Sequence, residues 1–216
     1  MTIDDVLASS VPPIVAILRG VKPAEVVAIG EALVAAGIGL IEVPLNSPDP
    51  IESVGSLATA LRDRALCGAG TVMTPEDVVR VAEVGGRLIV SPHANPTVIT
   101  RAVDLGLEAI PGFATPTEAF AACAAGARRL KLFPANGFGA AYLKAIRDVL
   151  PAETRVWAVG GAGAGNLREW LEAGAEGIGV GGALYRPGDT ATQVAERAAG
   201  LVAAWRAATR CRKAPA

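Results

Sequence analysis

Residues 66–77 read LCGAGTVMTPED, a short apolar run followed by the typical start of a helix. Residues 66–69 have the length and apolar character of a buried β-strand. Thr74 is a preferred capping residue, Pro75 suits the first helical position, and the two acids that follow complement the positive end of a helix. This stretch therefore predicts one strand followed by one helix.

The same strand-helix unit repeats along the chain, because short apolar runs alternate with longer alanine-rich segments of helical periodicity. One helical stripe consists of Tyr142, Ile146 and Val149, and glycines such as Gly37 and Gly174 follow helical segments where the chain must turn. Eight such units predict an α/β fold with a closed (β/α)8 TIM barrel, and an open doubly wound sheet is the alternative. The predicted strands are residues 14–18, 40–45, 66–69, 88–90, 108–110, 129–133, 156–159 and 177–180.

The composition indicates a soluble globular protein and excludes several classes of function. The 216 residues are 51% hydrophobic and 19% charged, with a formal net charge of -1. Long basic runs are missing, so neither nucleic acid nor a membrane is an expected partner, and apolar stretches are too short to span a bilayer. Three cysteines without a Cys-x-x-Cys motif and an amino terminus without a basic leader fit a cytoplasmic protein.

We interpret residues 1–216 as a single barrel domain, with a short helix before the first strand and a flexible tail after about residue 209. His93 is the only histidine, and acids do not gather at ligand spacing on the strand ends, so we expect neither a metal nor a cofactor. The glycine-rich segments also do not fit the motifs that bind dinucleotides or nucleoside triphosphates.

Two charged residues are predicted to lie inside the barrel. Glu42 and Lys131 each stand between two apolar residues of a strand. Because side chains alternate along a strand, the apolar neighbours point outward beneath the helices and the charged side chains point inward. A desolvated lysine has a lowered pKa and is a nucleophile at neutral pH, which predicts a Schiff-base lysine. The alternatives are a lysine whose head reaches water and a buried ion pair that only stabilises the fold.

Glycine-rich segments follow the seventh and eighth predicted strands, where barrels bind phosphate. Gly160 and Gly161 belong to the first segment, and Gly181 and Gly182 belong to the second. Backbone without side chains can approach an anion closely, and its amide groups supply hydrogen-bond donors. The pattern predicts a phosphorylated small-molecule substrate, although tight turns would explain one such loop alone.

Other candidate binding residues follow the remaining strands. Arg19 can bind a carboxylate through two hydrogen bonds, although a surface arginine is the alternative. Thr71 and Asn46 can hydrogen-bond substrate hydroxyl or carboxylate oxygens, and either could equally cap a helix. Phe133 lies on the inner face beside Lys131, where it would exclude water from the substrate.

Five motifs together resemble those of the 2-keto-3-deoxy-6-phosphogluconate and 6-phosphogalactonate aldolases. The resemblance runs from about residue 13 to residue 185. Within it, the segment after Glu42 is similar to the phosphogalactonate branch, because Asn46 stands where the phosphogluconate branch typically has arginine. The motifs are ILRG (17–20), IEVPLNSP (41–48), GAGT (68–71), PGFATP (111–116) and LKLFP (130–134).

The resemblance implies a homotrimer, a Schiff-base lysine at Lys131 and an acid-base glutamate at Glu42. The implied reaction is cleavage of the phosphogalactonate substrate to pyruvate and D-glyceraldehyde 3-phosphate. Relatives often have a serine among the phosphate donors after the eighth strand, whereas this chain has Gly181, Gly182 and Ala183 there. The alternatives are the phosphogluconate substrate, a metal-independent phosphosugar isomerase or epimerase, and a phosphosugar-binding barrel.

Overall fold

A computed structural model of the chain describes residues 1–9 and 11–213. Its eight strands are all parallel and form one closed barrel in chain order, which confirms the (β/α)8 prediction and excludes the open sheet. Each predicted strand overlaps an observed one, and the fifth extends to Phe113. The strands are β1 (Ile14–Ile17), β2 (Leu40–Pro44), β3 (Leu66–Gly70), β4 (Leu88–Ser91), β5 (Glu108–Phe113), β6 (Arg129–Leu132), β7 (Arg155–Val159) and β8 (Gly177–Val180).

Helices alternate with the strands, and their starts follow the capping signals in the sequence. Thr74 Oγ1 accepts a hydrogen bond of 3.1 Å from the Asp77 amide at the start of α4. Among the described residues, no helix is long and apolar enough to cross a membrane. The helices are α1 (Ile3–Ala8), α2 (Pro23–Ala36), α3 (Pro50–Ala60), α4 (Pro75–Glu83), α5 (Pro96–Asp104), α6 (Pro116–Ala124), α7 (Ala135–Arg147), α8 (Leu167–Glu172) and α9 (Ala191–Lys213).

Helices α7 and α9 end at other residues than the sequence indicates. Val149 was expected on the buried stripe of α7, but the helix ends at Arg147 and Val149 is 59% exposed, so that prediction is wrong. Helix α9 continues to Lys213, past the residue where we expected the tail to begin, and the remaining part of that tail, residues 214–216, lies outside the described residues.

The barrel has two hydrophobic cores, one inside the strands and one between strands and helices. Inward residues such as Leu66, Val90 and Trp157 form the inner core, and Ile3 and Val6 of α1 pack against it. The Ile3 amide donates to Glu108 Oε1 at the start of β5, which places α1 at the amino-terminal end of the barrel. The opposite end, where the strands finish, is therefore the end available for a site.

The outer core confirms the predicted alternation of side chains. Ile41, Val43, Leu130 and Leu132 all belong to the cluster that packs beneath the helices. The charged residues between them must then point into the barrel, since successive side chains on a strand face opposite sides.

Candidate active site

Glu42 and Lys131 share one narrow space inside the barrel. Glu42 lies on β2 and Lys131 on β6, four strands apart in the ring of eight, so the two side chains enter from opposite sides. Their exposed fractions are 2% and 5%. Both line a small gap whose other walls are apolar, formed with Ile17, Trp157 and neighbouring residues. The structure thus brings together the two charged residues that alternation predicted to face inward.

Lys131 is a buried ammonium whose surroundings favour the neutral amine. Burial lowers the pKa of Lys131 to about 8 from its ordinary 10.5, the nearby Glu42 carboxylate opposes this change, and the charge of Arg19 adds to it. With that pKa, about one side chain in ten is neutral at pH 7, against about one in three thousand at the ordinary value. Lys131 Nζ also lies 4.8 Å from the centre of the Phe133 ring, in cation–π contact.

Glu42 is a buried carboxyl with the opposite shift. Burial raises the pKa of Glu42 from 4.5 to about 7, although the charges of Lys131 and Arg19 both oppose the rise. Glu42 Oε2 is fully buried and has no hydrogen-bond partner among the described residues. A buried carboxylate oxygen without a donor is costly unless a ligand or water supplies one. With both pKa values near neutral, a proton can move between these groups and a substrate at a small free-energy cost.

Arg19 and Asn46 meet at the mouth of the barrel. Arg19 Nη1 donates a 2.5 Å hydrogen bond to Asn46 Oδ1, and the Gly20 amide donates to Ser47 Oγ over 2.9 Å. The loops after β1 and β2 are therefore joined by one hydrogen bond between side chains and one from a backbone amide to a side-chain hydroxyl. Thr71 directly follows β3 and has a φ of 55°, in the left-handed region that threonine rarely adopts.

A cavity of about 540 Å³ opens at this end of the barrel beside Arg19 and Phe133. Most of its lining residues are glycines and alanines, chiefly of the loops after β7 and β8, including Gly160, Gly161 and Gly182. Gly160 and Gly161 have φ values of 93° and 82°, which side chains disfavour. The four predicted phosphate-site glycines thus line the same cavity as Arg19, and the cavity has the size of a small-molecule site.

The family described as "Aldolase: KDPG and KHG aldolase" matches residues 3–196. This chain belongs to that family. A 2-dehydro-3-deoxy-6-phosphogalactonate aldolase of Escherichia coli (strain K12) is 46% identical over 196 residues, which cover 91% of this chain and 96% of the relative.

Two solved structures of aldolases superpose closely on the barrel. One, described as native KDPGal, has a TM-score of 0.90 and 46% identity over 92% of this chain and 96% of its own. The other is KDPG aldolase from Legionella pneumophila, with pyruvate captured at low pH as a covalent carbinolamine intermediate. It has a TM-score of 0.80 and 26% identity, and the match covers 91% of this chain and 97% of that one.

One residue of this aldolase cavity was not predicted from the sequence. Asn166 Nδ2 donates to the Gly161 carbonyl over 2.9 Å, and Asn166 Oδ1 accepts from the Gly163 amide over 3.0 Å. The side chain therefore ties two points of the loop after β7 together. An asparagine just before a helix in a glycine-rich segment was the available signal, since asparagine often bonds to nearby backbone.

Proposed function

We propose that this chain is a class I aldolase that cleaves 2-dehydro-3-deoxy-6-phosphogalactonate, the 2-keto-3-deoxy acid of the phosphogalactonate branch, through a Schiff base on Lys131. The substrate assignment rests on the 46% identity to the Escherichia coli enzyme of that name over nearly its full length. The products would be pyruvate and D-glyceraldehyde 3-phosphate. The residue roles rest on the geometry of the site.

The observation that carries the proposal is the pair of buried charges. A purely structural ion pair favours the charged form of both groups, whereas here burial disfavours each charged form, lowering the pKa of Lys131 to about 8 and raising that of Glu42 to about 7. Such opposed shifts at the open end of a barrel are typical of a nucleophile and an acid-base group. The carbinolamine captured in the Legionella relative is the adduct that an amine forms with pyruvate, which supports amine chemistry in this family.

The first half of the reaction builds the electron sink. The neutral amine of Lys131 attacks the C2 carbonyl of the substrate, and the oxygen takes a proton to give a carbinolamine. Glu42, in its protonated form, then donates a proton to the departing hydroxyl, so that water leaves and an iminium forms. The positive iminium nitrogen can accept the electron pair of the bond that breaks next.

The second half breaks the bond between C3 and C4. Glu42 as carboxylate takes the proton of the C4 hydroxyl, the C3–C4 electron pair moves into the iminium, and the aldehyde leaves as glyceraldehyde 3-phosphate. The pyruvate enamine that remains takes a proton at C3. Addition of water to the resulting iminium releases pyruvate and restores the Lys131 amine. Glu42 thus acts as both acid and base, for which a pKa near neutral is suited.

Substrate binding divides between the two ends of the cavity. Arg19 would supply a cation for the carboxylate, Thr71 after β3 a hydroxyl donor, and Phe133, which lies beside Lys131, would cover the reacting centre. The backbone at Gly160, Gly161, Gly181 and Gly182 would donate to the phosphate, because a wall of such small residues leaves amides accessible to an anion. Asn46 would act through its hydrogen bond to Arg19.

Reductive trapping tests the central claim. The protein is incubated with pyruvate and sodium borohydride and its intact mass is measured, with the adduct mapped by peptide analysis. We expect one pyruvate adduct on Lys131 and none in Lys131→Ala. A folded wild-type protein that gives no adduct would contradict the aldolase mechanism and favour an isomerase or a binding protein. Cleavage rates for the phosphogalactonate and phosphogluconate substrates then decide the stereochemical preference at C4.

We also propose that the enzyme is a cytoplasmic homotrimer. The trimer follows from the resemblance, and apolar side chains such as Phe120, which is 45% exposed, offer surface for subunit contacts. Cys67 and Cys123 are free thiols, as expected in a reducing compartment. Light scattering coupled to size-exclusion chromatography would test the trimer, and a mass of one or two chains would contradict it.

A further inference from the structure

The carboxylate of Glu42 occupies the place where residue 70 would carry a side chain. An ideal Cβ atom built on Gly70 would lie 1.8 Å from Glu42 Oε2, 2.2 Å from Cδ and 2.4 Å from Oε1. These are far inside van der Waals contact. Gly70 is the last residue of β3, and alternation from the inward Leu66 places its missing side chain inside the barrel. The carboxylate therefore lies directly against the β3 backbone.

Two other inward glycines have a different reason to be glycine. A Cβ on Gly68 would lie 1.9 Å from the Leu88 carbonyl oxygen, and one on Gly112 would lie 2.5 Å from the Pro92 carbonyl oxygen. In both cases the obstacle is the backbone of a neighbouring segment, so these glycines serve the packing of the barrel. At Gly70 the three nearest atoms all belong to the Glu42 carboxyl group. The first obstacle to a side chain at position 70 is therefore a site residue.

We propose that Gly70 is a positioning residue, whose missing side chain lets the Glu42 carboxylate lie on β3 in the place from which it exchanges protons with the substrate bound to Lys131. This proposal rests on the proposed function for its catalytic consequence, while the steric relationship stands by itself. Glu42 Oε2 is both the atom nearest to the built Cβ and the buried oxygen without a donor among the described residues. The carboxyl is thus held by shape, without a hydrogen bond to Oε2 from the described residues.

Alanine at position 70 would move the carboxylate without breaking the barrel. The displaced group is the end of a side chain with rotatable bonds, whereas the strand backbone can stay in place. A displacement of about 1 Å in a reacting group can reduce a rate by about 100-fold. We expect the displaced carboxyl to be less buried than in the wild type, so that its pKa falls below about 7 toward its ordinary value. Lys131 and Arg19 are the charged groups that face it, and both favour the same fall.

The test compares Gly70→Ala with Gly200→Ala, a matched substitution on α9 where a Cβ would meet nothing within 4 Å. We expect Gly70→Ala to lower kcat for cleavage, and the exchange of pyruvate methyl protons in D2O, by about 100-fold. Lys131 should still be trapped by borohydride at saturating pyruvate. Gly200→Ala should match the wild type in all three measurements. Equal kcat and exchange rates in the two variants would overturn the proposal.

A second comparison, made in the Glu42→Asp variant, distinguishes positioning of the carboxylate from general damage to the fold. Aspartate at position 42 is shorter by one methylene, which leaves room for the alanine methyl group. We expect Gly70→Ala to reduce kcat less than about threefold when added to Glu42→Asp, because the two changes are coupled. A reduction of the same size on both backgrounds would overturn the proposal. If Gly70→Ala alone does not fold, the double variant with Glu42→Ala decides: cooperative unfolding supports the steric relationship, and failure to fold contradicts it.

The steric relationship can also be measured without turnover. Titration of the 13C-labelled Glu42 carboxyl by NMR, assigned with Glu42→Gln, gives its pKa in each variant. We expect a lower pKa in Gly70→Ala than in the wild type and no change in Gly200→Ala. An unchanged pKa in Gly70→Ala would overturn the positioning role. Absence of a pyruvate adduct in the wild type would instead contradict the proposed function and leave this titration as the measure of placement.

Discussion

Arg19 and Asn46, which are 27 residues apart in the chain, are joined by a 2.5 Å hydrogen bond from Nη1 to Oδ1 across the mouth of the barrel. The bond fixes the direction of a flexible, exposed guanidinium that lines the cavity. The sequence suggested that Asn46 binds the substrate itself. In the structure its carbonyl oxygen accepts the hydrogen bond from Arg19, and we propose that Asn46 acts through the arginine.

From this contact we predict that Asn46→Ala raises KM more than it lowers kcat. A hydrogen bond to a charged group contributes about 1.5 kcal/mol, which corresponds to about tenfold in KM when the freed arginine must be ordered by the substrate. The value of kcat should change less than about twofold, because Asn46 is not at the reacting bond. Steady-state cleavage kinetics measure both constants.

The double variant distinguishes an indirect role from direct binding. If Asn46 acts only through Arg19, removing it after Arg19→Ala should produce no further rise in KM. Effects that multiply in the double variant would show that Asn46 contacts the substrate directly, as the sequence suggested.

The fold and the central pair of the site could be predicted because both follow from local patterns. Eight repeats of strand and helix specify the barrel, and alternation within each strand is enough to send Glu42 and Lys131 inward. The cavity beside the glycine-rich loops after β7 and β8 could be anticipated because barrels place their sites at the ends of the strands, and phosphate binding there stays a prediction. None of these inferences needs a contact between distant side chains.

The supporting contacts could not be predicted, because they depend on how separate loops meet in space. The pairing of Arg19 with Asn46 requires the relative position of two loops, and the fit of Glu42 against Gly70 requires the actual path of β3. Thr71 shows a further limit, since its φ of 55° goes against the preference of threonine. The sequence contains glycine at position 70, but it does not show that the Glu42 carboxyl occupies the place of a side chain there.

The buried carboxyl makes stability depend on pH. The pKa of Glu42 is about 7 in the folded protein and 4.5 is its ordinary value, so the folded state binds a proton that the unfolded state has lost between these limits. The contribution of Glu42 to the stability of the folded state is therefore fully present below pH 4.5 and is lost as the pH rises to 7. We predict that Glu42→Gln, which cannot ionise, gains stability relative to wild type over this range, by on the order of 3 kcal/mol at pH 8.

Thermal or urea unfolding at pH 5 and pH 8 measures this difference. Glu153→Gln, at an exposed carboxyl, is the control and should show the same stability relative to wild type at both pH values. Lys131 changes stability mainly at higher pH. Because its pKa is about 8 in the folded protein and 10.5 ordinarily, its burial costs most below pH 8, and the cost declines as the pH rises from 8 to 10.5. A Glu42→Gln advantage that does not grow between pH 5 and pH 8 would contradict the raised pKa.

The charges around Lys131 predict opposite effects of two substitutions on its pKa. Glu42 raises the pKa of Lys131 and Arg19 lowers it, while burial sets the overall decrease to about 8. Glu42→Gln should therefore lower the pKa of Lys131 below about 8, and Arg19→Ala should raise it. NMR titration of 13C-labelled lysine side chains measures both, with the Lys131 signal assigned by Lys131→Ala. Shifts in the same direction would contradict this electrostatic arrangement.

A substitution in the loop after β7 should impair phosphate binding without impairing Schiff-base formation. Gly161 has a φ of 82°, and a Cβ there would lie 2.6 Å from Asn136 Cβ, so Gly161→Ala strains the backbone that lines the cavity. We predict that KM for the phosphorylated substrate rises at least about tenfold, because donors aimed at an anion lose their direction. Borohydride trapping of pyruvate, which has no phosphate, should proceed at the wild-type rate, and Gly200→Ala should leave both measurements unchanged. Equal losses in trapping and in substrate binding would show that the loop supports the whole site and is not specific to the phosphate.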